Sequence, residues 1–226
     1  MEIALVRHGQ TDFNRDGRLQ GTSDIPLNET GIAQAHTAAR LLADGPSTDA
    51  RWDAVVSSPL VRAAVTADII AAELGPEVCG RYPSLIERAY GEAEGLTKEE
   101  AVARFGDDWP GEEDFYDLQR RAVAAVDDVA ARNTVDALVI VTHGTFIRAF
   151  ADHVTGQETR TPDNAHSVRF TGVPGATYYV RVWGNGTYHP ILWSAVARTV
   201  PEGGGGRGGL GGHLGIDTGT LVKIGN

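Results

Sequence analysis

Two histidine–glycine pairs lie where short apolar segments of the chain end. His8 follows Arg7 directly after the apolar residues 3–6, and His143 follows the nearly continuous apolar run Ala137–Thr142. Short apolar runs of this kind are typical of buried β-strands. Neutral imidazole is a competent nucleophile near pH 7, and guanidinium groups offer paired donors to phosphoryl or carboxylate oxygens. The pattern therefore predicts an anion site that could transfer a group to histidine.

A third basic residue, Arg62, follows the apolar residues 54–56 by a few positions. Ser58 and Pro59 predict a helix start, with Ser58 as the N-cap and Pro59 at the first helical position. Arg62 would then lie in the first turn, where free N–H groups and the helix dipole favour an anion. A single histidine is more often structural. Two arginines and two histidines around one crevice, in a chain of net charge −10, favour a phosphate or carboxylate site.

Strand-like and helix-like segments alternate along the first 200 residues and must position these side chains. Predicted helices cover residues 28–43, residues 58 to about 75, residues 118–132 and a segment through residues 147–154; predicted strands cover 3–6, 54–56, 137–142, 167–171, 177–182 and 188–193. In the first helix we expect one shared face for Ile32, Ala35, Ala39 and Leu42. The alternation predicts a three-layer α/β fold, with a mostly parallel sheet, helices on both faces and antiparallel strands near the end. Ligands of open α/β sheets bind at the carboxyl ends of strands, so both His–Gly pairs would face one crevice.

Composition limits the possible classes of protein. The chain has 226 residues, 42% of them hydrophobic, which is enough for one large core. Its acidic charge disfavours nucleic acid and anionic membranes as partners. The lone cysteine, Cys79, is predicted to be partly buried and unreactive. Neither a signal peptide nor a membrane span is evident, so we expect a cytoplasmic location.

Metal and nucleotide motifs are not evident in the sequence. It contains no Walker A motif, no H-E-x-x-H and no acidic magnesium cluster. We therefore expect no metal and no cofactor, and chemistry that runs through arginine and histidine.

Four ordered segments resemble the histidine phosphatase superfamily, the fold group that also contains cofactor-dependent phosphoglycerate mutase. The resemblance covers about residues 1–195. Its segments are L-V-R-H-G-Q-T at 5–11 with Asn14, Gln20-Gly21 and D-I-P-L at 24–27; S-S-P-L-V-R-A-A-V-T-A at 57–67; L-I-E at 85–87 with Gly91 and Glu94-Gly95; and V-T-H-G at 141–144. The resemblance implies a histidine phosphatase catalytic domain over residues 1–200. Residues 201–226 are rich in glycine and are expected to form a flexible C-terminal tail.

The resemblance also implies a role for each matching residue. His8 would take the phosphoryl group, and Arg7, Arg62 and His143 would bind its oxygens. Glu87 would protonate the leaving alkoxide and then help to activate water. Substrate-binding roles are implied for Asn14, Gln20, Gly21 and the Thr145 amide, whereas Glu94 is expected to be a structural hydrogen-bond acceptor.

The substrate class is expected to be a small phosphorylated metabolite, and the expected reaction is hydrolysis of a phosphomonoester. The alternatives are mutase-type phosphoryl transfer and a catalytically silent phospholigand-binding module. The sequence leaves the oligomeric state open, and a dimer is one of the options. Where many phosphatase relatives have P-G-G-E-S, this chain has P-G-E-E-D at residues 110–114. Glu112 and Asp114 would make this lid more acidic and disfavour a second strongly anionic group on the substrate. Aromatic contacts to the substrate could come from Phe13, Trp109, Phe115 and Tyr116.

Overall fold

Helices and strands alternate through a computed structural model that describes residues 1–43, 51–175 and 177–183. The strands are β1 (Glu2–Arg7), β2 (Ala54–Ser57), β3 (Val78–Arg81), β4 (Ala137–Thr142), β5 (Ser167–Val173) and β6 (Thr177–Trp183). The α-helices are α1 (Asp12–Arg15), α2 (Glu29–Leu42), α3 (Val61–Leu74), α4 (Lys98–Phe105), α5 (Phe115–Arg132) and α6 (Gly144–Thr155). The predicted strand at residues 188–193 and the predicted tail at 201–226 lie outside the described residues.

The strands form one mixed sheet in the order β3-β2-β4-β1-β5-β6. The first four are parallel to one another, and β5 and β6 add to the edge of β1 in the antiparallel sense. The central pair is β1 and β4, with Arg7 opposite Thr142 at their carboxyl ends. The predicted α/β architecture, with antiparallel strands added late in the chain, is confirmed.

Two apolar cores cover the two faces of the sheet. Along β1, Ile3 and Leu5 pack into one core together with the buried stripes of α5 and α6. Ala4 and Val6 point the other way, into the core that α2 and α3 complete. Because successive side chains of a strand alternate between faces, a central strand covered by helices on both sides must be apolar throughout. Residues 3–6 of β1 and 137–141 of β4 are all apolar and buried, and these two stretches position the loops that follow the strands.

The predicted start of α3 is wrong by two residues. The helix begins at Val61 with Leu60 as its N-cap, and Ser58 still extends the sheet, donating its amide to the Val141 carbonyl at 2.9 Å. The side chain that accepts a hydrogen bond from the Val61 amide is Asp24, at 2.7 Å, from a different loop. Ser58 is therefore free for another role, and Arg62 lies in the first turn as predicted.

Of the four residues predicted to share one face of α2, Ala35, Ala39 and Leu42 are buried and Ile32 is 42% exposed. The expectation that Cys79 is partly buried is wrong. Cys79 is exposed because it lies on the outward-facing side of the short strand β3, where burial alternates from residue to residue. Within the described ranges, no helix is long and apolar enough to cross a membrane.

Candidate active site

His8 and His143 lie side by side at the carboxyl ends of the two central strands. The His8 amide donates to the Thr142 carbonyl at 3.0 Å, which continues the pairing of β1 with β4 beyond the last strand residue. The two imidazole rings are 5.2 Å apart between centroids and meet edge to face. Both side chains are almost fully buried. The sheet therefore brings together two histidines that are far apart in the sequence, as predicted.

The hydrogen bonds of His8 define which ring nitrogen carries the lone pair. Nδ1 lies 2.6 Å from the Gly9 carbonyl oxygen, which can only accept, so Nδ1 carries the proton. Nε2 accepts a hydrogen bond from Nε of Arg62 at 3.2 Å. Burial, then the charges of Arg62 and Arg7, hold the pKa of His8 well below its ordinary value. The ring is therefore neutral, with the Nε2 lone pair directed toward a guanidinium.

Arg62 is fully buried and is fixed by backbone carbonyls. Its Nη1 donates to the Ser23 carbonyl at 2.7 Å and its Nη2 donates to the Gly21 carbonyl at 2.8 Å. These contacts orient the planar group beside His8 and also hold the loop that follows Gln20. Arg7 is anchored in a similar way through Nη1, which donates to the Pro162 carbonyl at 2.8 Å. Arg7 Nε has no hydrogen-bond partner among the described residues although it is buried.

Asn14 presents its amide nitrogen to the pocket because its oxygen is already engaged. Oδ1 lies within 3.2 Å of the Thr11 amide and hydroxyl and accepts from Nδ2 of Asn164 at 3.0 Å. The Thr11 hydroxyl is also 2.9 Å from Oε1 of Gln20, which leaves the Gln20 amide nitrogen as a donor. Both predicted substrate-binding side chains line the pocket and can offer N–H groups to an anion.

Glu87 lies at the amino end of α6, the helix that begins directly after His143. Oε1 accepts from the amides of Arg88 at 2.9 Å and Phe146 at 3.0 Å, and Oε2 accepts from the Thr145 amide at 3.1 Å. Oε2 thus makes one backbone hydrogen bond and Oε1 makes two. A carboxyl oxygen has room for about two partners, so Oε2 is the atom that can still exchange a proton with a ligand.

The segment that carries Glu87 is held from two sides. The Thr142 hydroxyl at the end of β4 donates to the Leu85 carbonyl at 2.7 Å. Arg121 of α5 donates to the carbonyls of Ser84, Ile86 and Glu87 at 2.9–3.2 Å. These bonds place the carboxyl relative to the sheet, and Arg121 has no signal in the sequence beyond its position on a helix.

The pocket between these groups has a volume of about 160 Å³. Arg7, His8, Asn14, Gln20, Gly21, Arg62, Glu87 and Thr145 line it, together with residues that sequence reasoning missed: Arg18, Leu19, Tyr90, Gly144 and Thr161. His143 is not among these lining residues, and its ring contacts the His8 ring. Phe13, Trp109, Phe115 and Tyr116, the aromatic residues suggested as substrate contacts, are not part of the lining.

Tyr90 supplies a hydroxyl to the pocket beside Glu87. Its phenolic oxygen is 2.8 Å from Oγ1 of Thr145, and burial, then the charge of Glu87, raises the pKa of Tyr90 to about 12. The phenol stays protonated at neutral pH and can donate a hydrogen bond. Its place between Glu87 and Gly91, inside the third family-like segment, was the signal that could have identified it.

The acidic lid residues have internal partners. Glu112 pairs with Arg88 at 3.1 Å and Glu113 pairs with Arg121 at 2.8 Å. Asp114 is the N-cap of α5 and accepts from the Tyr116 and Asp117 amides. Of the two residues expected to make this segment more acidic, Glu112 is compensated by Arg88, whereas Asp114 accepts from backbone amides of α5. The expected repulsion of a second anionic group stays a prediction.

Glu94 holds the loop at the pocket entrance and is the structural acceptor that was expected. Its oxygens accept from the amides and hydroxyls of Thr22 and Ser23 and from the Tyr90 amide. Burial would raise the pKa of Glu94, but these hydrogen bonds bring it below its ordinary value.

Across residues 1–43, 51–175 and 177–183, no group of three or more His, Cys, Asp or Glu side chains could hold a metal ion.

The fold and the site together define an α/β protein with a pocket of guanidinium, imidazole and carboxyl groups at the ends of its central strands. The chain matches the sequence model of the histidine phosphatase superfamily (branch 1) over residues 3–183. It belongs to that superfamily.

Named relatives are consistent with this assignment. The chain is 36% identical over 155 residues to an uncharacterized phosphatase, PhoE, of Bacillus subtilis, covering 68% of this chain and 77% of the relative. It is 32% identical over 190 residues to a 2,3-bisphosphoglycerate-dependent phosphoglycerate mutase of Methylobacterium, and this match covers 76% of this chain and 88% of the relative. The structure of a mycobacterial glucosyl-3-phosphoglycerate phosphatase in complex with VO3 superposes with a TM-score of 0.71 at 27% identity. The superposition covers 82% of this chain and 99% of the other. The family, the fold and the enzyme class predicted from the sequence, a phosphatase, are confirmed.

Proposed function

We propose that the protein hydrolyses a small-molecule phosphomonoester through a phosphohistidine intermediate on His8. The observation that carries this proposal is the hydrogen-bond pattern of the His8 ring: Nδ1 donates to Gly9 O, and Nε2 accepts from Arg62. A nucleophile needs an available lone pair, and a phosphoryl acceptor needs positive charge beside it. Nε2 of His8 has both, in a buried site.

The first step forms a bond from His8 Nε2 to phosphorus and breaks the bond from phosphorus to the leaving oxygen. Arg7, Arg62 and His143 stabilise the charge on the remaining phosphoryl oxygens, and the amide of Asn14 adds a donor. Glu87 gives a proton from Oε2 to the leaving alkoxide. Because Nε of Arg62 donates to Nε2 of His8, this donor has to turn to a phosphoryl oxygen when Nε2 attacks phosphorus.

The second step returns the enzyme to its starting state. Water attacks phosphorus, Glu87 accepts a proton from this water, and the bond from phosphorus to His8 Nε2 breaks. The products are inorganic phosphate and free imidazole. General acid–base catalysis by a positioned carboxyl group typically contributes ~10²–10⁴ to the rate, so Glu87 is expected to matter in both halves of the reaction.

The size of the pocket supports a small substrate. Its volume of about 160 Å³ lies below the ~300–1,000 Å³ typical of pockets for drug-sized ligands. A phosphoryl group and a few attached atoms fit this space. The hydroxyl of Tyr90 and the guanidinium of Arg18 lie among the lining residues and can contact the organic part of such a substrate.

The proposal is tested by trapping the intermediate. Brief reaction with a 32P-labelled phosphomonoester should label the wild-type protein with acid-labile phosphate, and His8→Ala should abolish both labelling and turnover. His36→Ala is the matched control, because His36 is a partly exposed histidine of α2 that pairs with Glu73 and is not among the residues that line the pocket. Unchanged labelling of His8→Ala would refute the assignment of the nucleophile.

Mutase-type transfer is the second candidate, favoured by the 32% identity to a bisphosphoglycerate-dependent mutase. The two reactions separate when the protein is incubated with p-nitrophenyl phosphate and with 3-phosphoglycerate, each with and without 2,3-bisphosphoglycerate. We expect phosphate release to exceed isomerisation under all conditions. Isomerisation that outruns phosphate release would decide for the mutase, and an absence of both reactions would favour a silent binding module.

A further inference from the structure

Ser58 contacts the second histidine of the site and has no part in the steps described above. It is fully buried just beyond the end of β2, and its Oγ lies 2.8 Å from Nε2 of His143. The same oxygen accepts a hydrogen bond from the Leu60 amide at 3.3 Å. These are the two hydrogen bonds of the Ser58 hydroxyl within the described part of the chain.

The His143 ring is neutral, so one of its nitrogens carries a proton and the other a lone pair. Burial, then the charge of Arg62, holds the pKa of His143 well below its ordinary value. If Nε2 carried the proton, Ser58 Oγ would accept from both Nε2 and the Leu60 amide. The hydroxyl proton of Ser58 would then be buried without an acceptor, which is unfavourable. If Nε2 carries the lone pair, the Ser58 hydroxyl donates to it and accepts from the Leu60 amide, so the hydroxyl is fully satisfied.

The other nitrogen of the His143 ring, Nδ1, then carries the proton and requires a hydrogen-bond acceptor. Nδ1 is buried and has no hydrogen-bond partner among the described residues. A proton on Nδ1 makes it a donor that only an incoming acceptor can satisfy, and a phosphoryl oxygen is such an acceptor. A lone pair on Nδ1 would instead repel an anionic oxygen.

We propose that Ser58 is a positioning residue whose hydroxyl donates to Nε2 of His143 and thereby keeps the proton on Nδ1, where it donates to a phosphoryl oxygen. This inference rests on the proposed function for the identity of the acceptor. Ser58 acts only through His143, which is the residue that binds a phosphoryl oxygen in the proposed function. The consequence of a wrong tautomer at a catalytic histidine is known to be large in serine proteases, where it costs about 10⁴ in kcat.

The tautomer can be measured directly in the unliganded protein. Long-range 1H–15N correlation spectra of protein labelled with 15N-histidine distinguish the two neutral forms, and His143→Gln assigns the signal. We expect the Nδ1–H form for wild-type His143, with a shift of its signal when orthophosphate is added. The Nε2–H form, or a doubly protonated ring at pH 7, overturns the proposal without any variant.

Variants at two adjacent serines then test the link to catalysis. Ser58→Ala should move His143 toward the Nε2–H form and lower kcat/KM by about 10²-fold, the loss typical of one misdirected donor in a preorganised site. Ser58→Thr keeps the hydroxyl and should retain the Nδ1–H signal. Ser57→Ala is the matched control, because Ser57 is equally buried and its hydroxyl has no partner in the described ranges. An unchanged tautomer together with unchanged kcat/KM in Ser58→Ala overturns the proposal.

Failure of this inference is distinguishable from failure of the proposed function. If His8 is never labelled while His143 shows the Nδ1–H form and responds to orthophosphate, the hydrolysis mechanism fails and the role of Ser58 stands. If His8 is labelled normally while wild-type His143 shows the Nε2–H form, the role of Ser58 fails and the hydrolysis mechanism stands.

Discussion

Replacing Glu87 by glutamine removes the proposed proton donor with a small change in shape. The amide oxygen can still accept from the Arg88 and Phe146 amides, as Oε1 does at 2.9 and 3.0 Å. The NH2 group then replaces Oε2 and faces the Thr145 amide, 3.1 Å away in the wild type. One buried hydrogen bond is lost and two donors are opposed, which costs about 1–3 kcal/mol of stability. We expect Glu87→Gln to fold, with a stability loss in that range by urea denaturation.

The kinetic effect should depend on the leaving group. An alkyl phosphate needs a proton on its leaving oxygen, so Glu87→Gln should lower its kcat/KM by ~10²–10⁴. p-Nitrophenolate leaves without a proton, so transfer to His8 should stay fast with p-nitrophenyl phosphate. Hydrolysis of the phosphohistidine still needs a base, so the intermediate should accumulate and give a burst of nitrophenolate equal to the enzyme concentration.

Stopped-flow measurement with both substrates checks this prediction. Glu92→Gln is the matched control, since Glu92 is an exposed glutamate five residues away, and it should behave as the wild type. An equal loss for alkyl and aryl phosphates, without a burst, would refute the role of Glu87 as the acid. A large loss in Glu92→Gln would show that the wrong carboxyl had been chosen.

Three further predictions concern metal, pH and backbone. EDTA should leave turnover unchanged, because the proposed mechanism needs no metal; loss of activity that magnesium restores would contradict it. The pKa values of His8 and His143 are lowered from their ordinary value of 6.5. Below pH 6.5 the unfolded chain therefore binds more protons than the folded chain, and the free energy of unfolding should fall as the pH drops. Urea denaturation on either side of that pH measures the slope, His8→Gln should reduce it, and an opposite slope would exclude the assigned pKa directions. Gly21→Ala should lower the free energy of unfolding by ~1–3 kcal/mol and raise KM, since Gly21 has φ +53° and a Cβ there would collide with Oε1 of Glu94. Thermal unfolding and steady-state kinetics measure the two effects. Wild-type stability and KM in this variant would mean that the loop is not held as described.

The positions of His8 and His143 could be predicted because strand ends have local signatures. Arg62 was placed correctly in the first turn of α3 although the helix starts two residues later than its signature indicates. Apolar runs mark the strands, and ligands of α/β sheets bind where such strands end. The partners that orient these residues could not be predicted. The contacts of Arg62 with the Ser23 and Gly21 carbonyls, or of Glu87 with the Thr145 amide, involve backbone atoms that every residue has and that tertiary packing alone brings together.

Errors in the fold have the same origin. Ser58 has the sequence signature of an N-cap, but its hydroxyl lies beside His143, and Asp24 from another loop accepts from the Val61 amide instead. Strand β3 was missed because its four residues alternate in burial at the edge of the sheet and contain a glycine. Local sequence describes what a segment favours, and the competing partner comes from elsewhere in the chain.

The pairing of β1 with β4 has a consequence for how such a protein can diversify. The centroids of the two imidazoles are 5.2 Å apart, close to the ~4.8 Å between neighbouring strands of any sheet. The spacing of the two histidines thus follows from the repeat of the β-ladder itself, while the loops around them can vary in length and composition. Exchange of those outer loops would change the walls of the pocket and leave this spacing as it is.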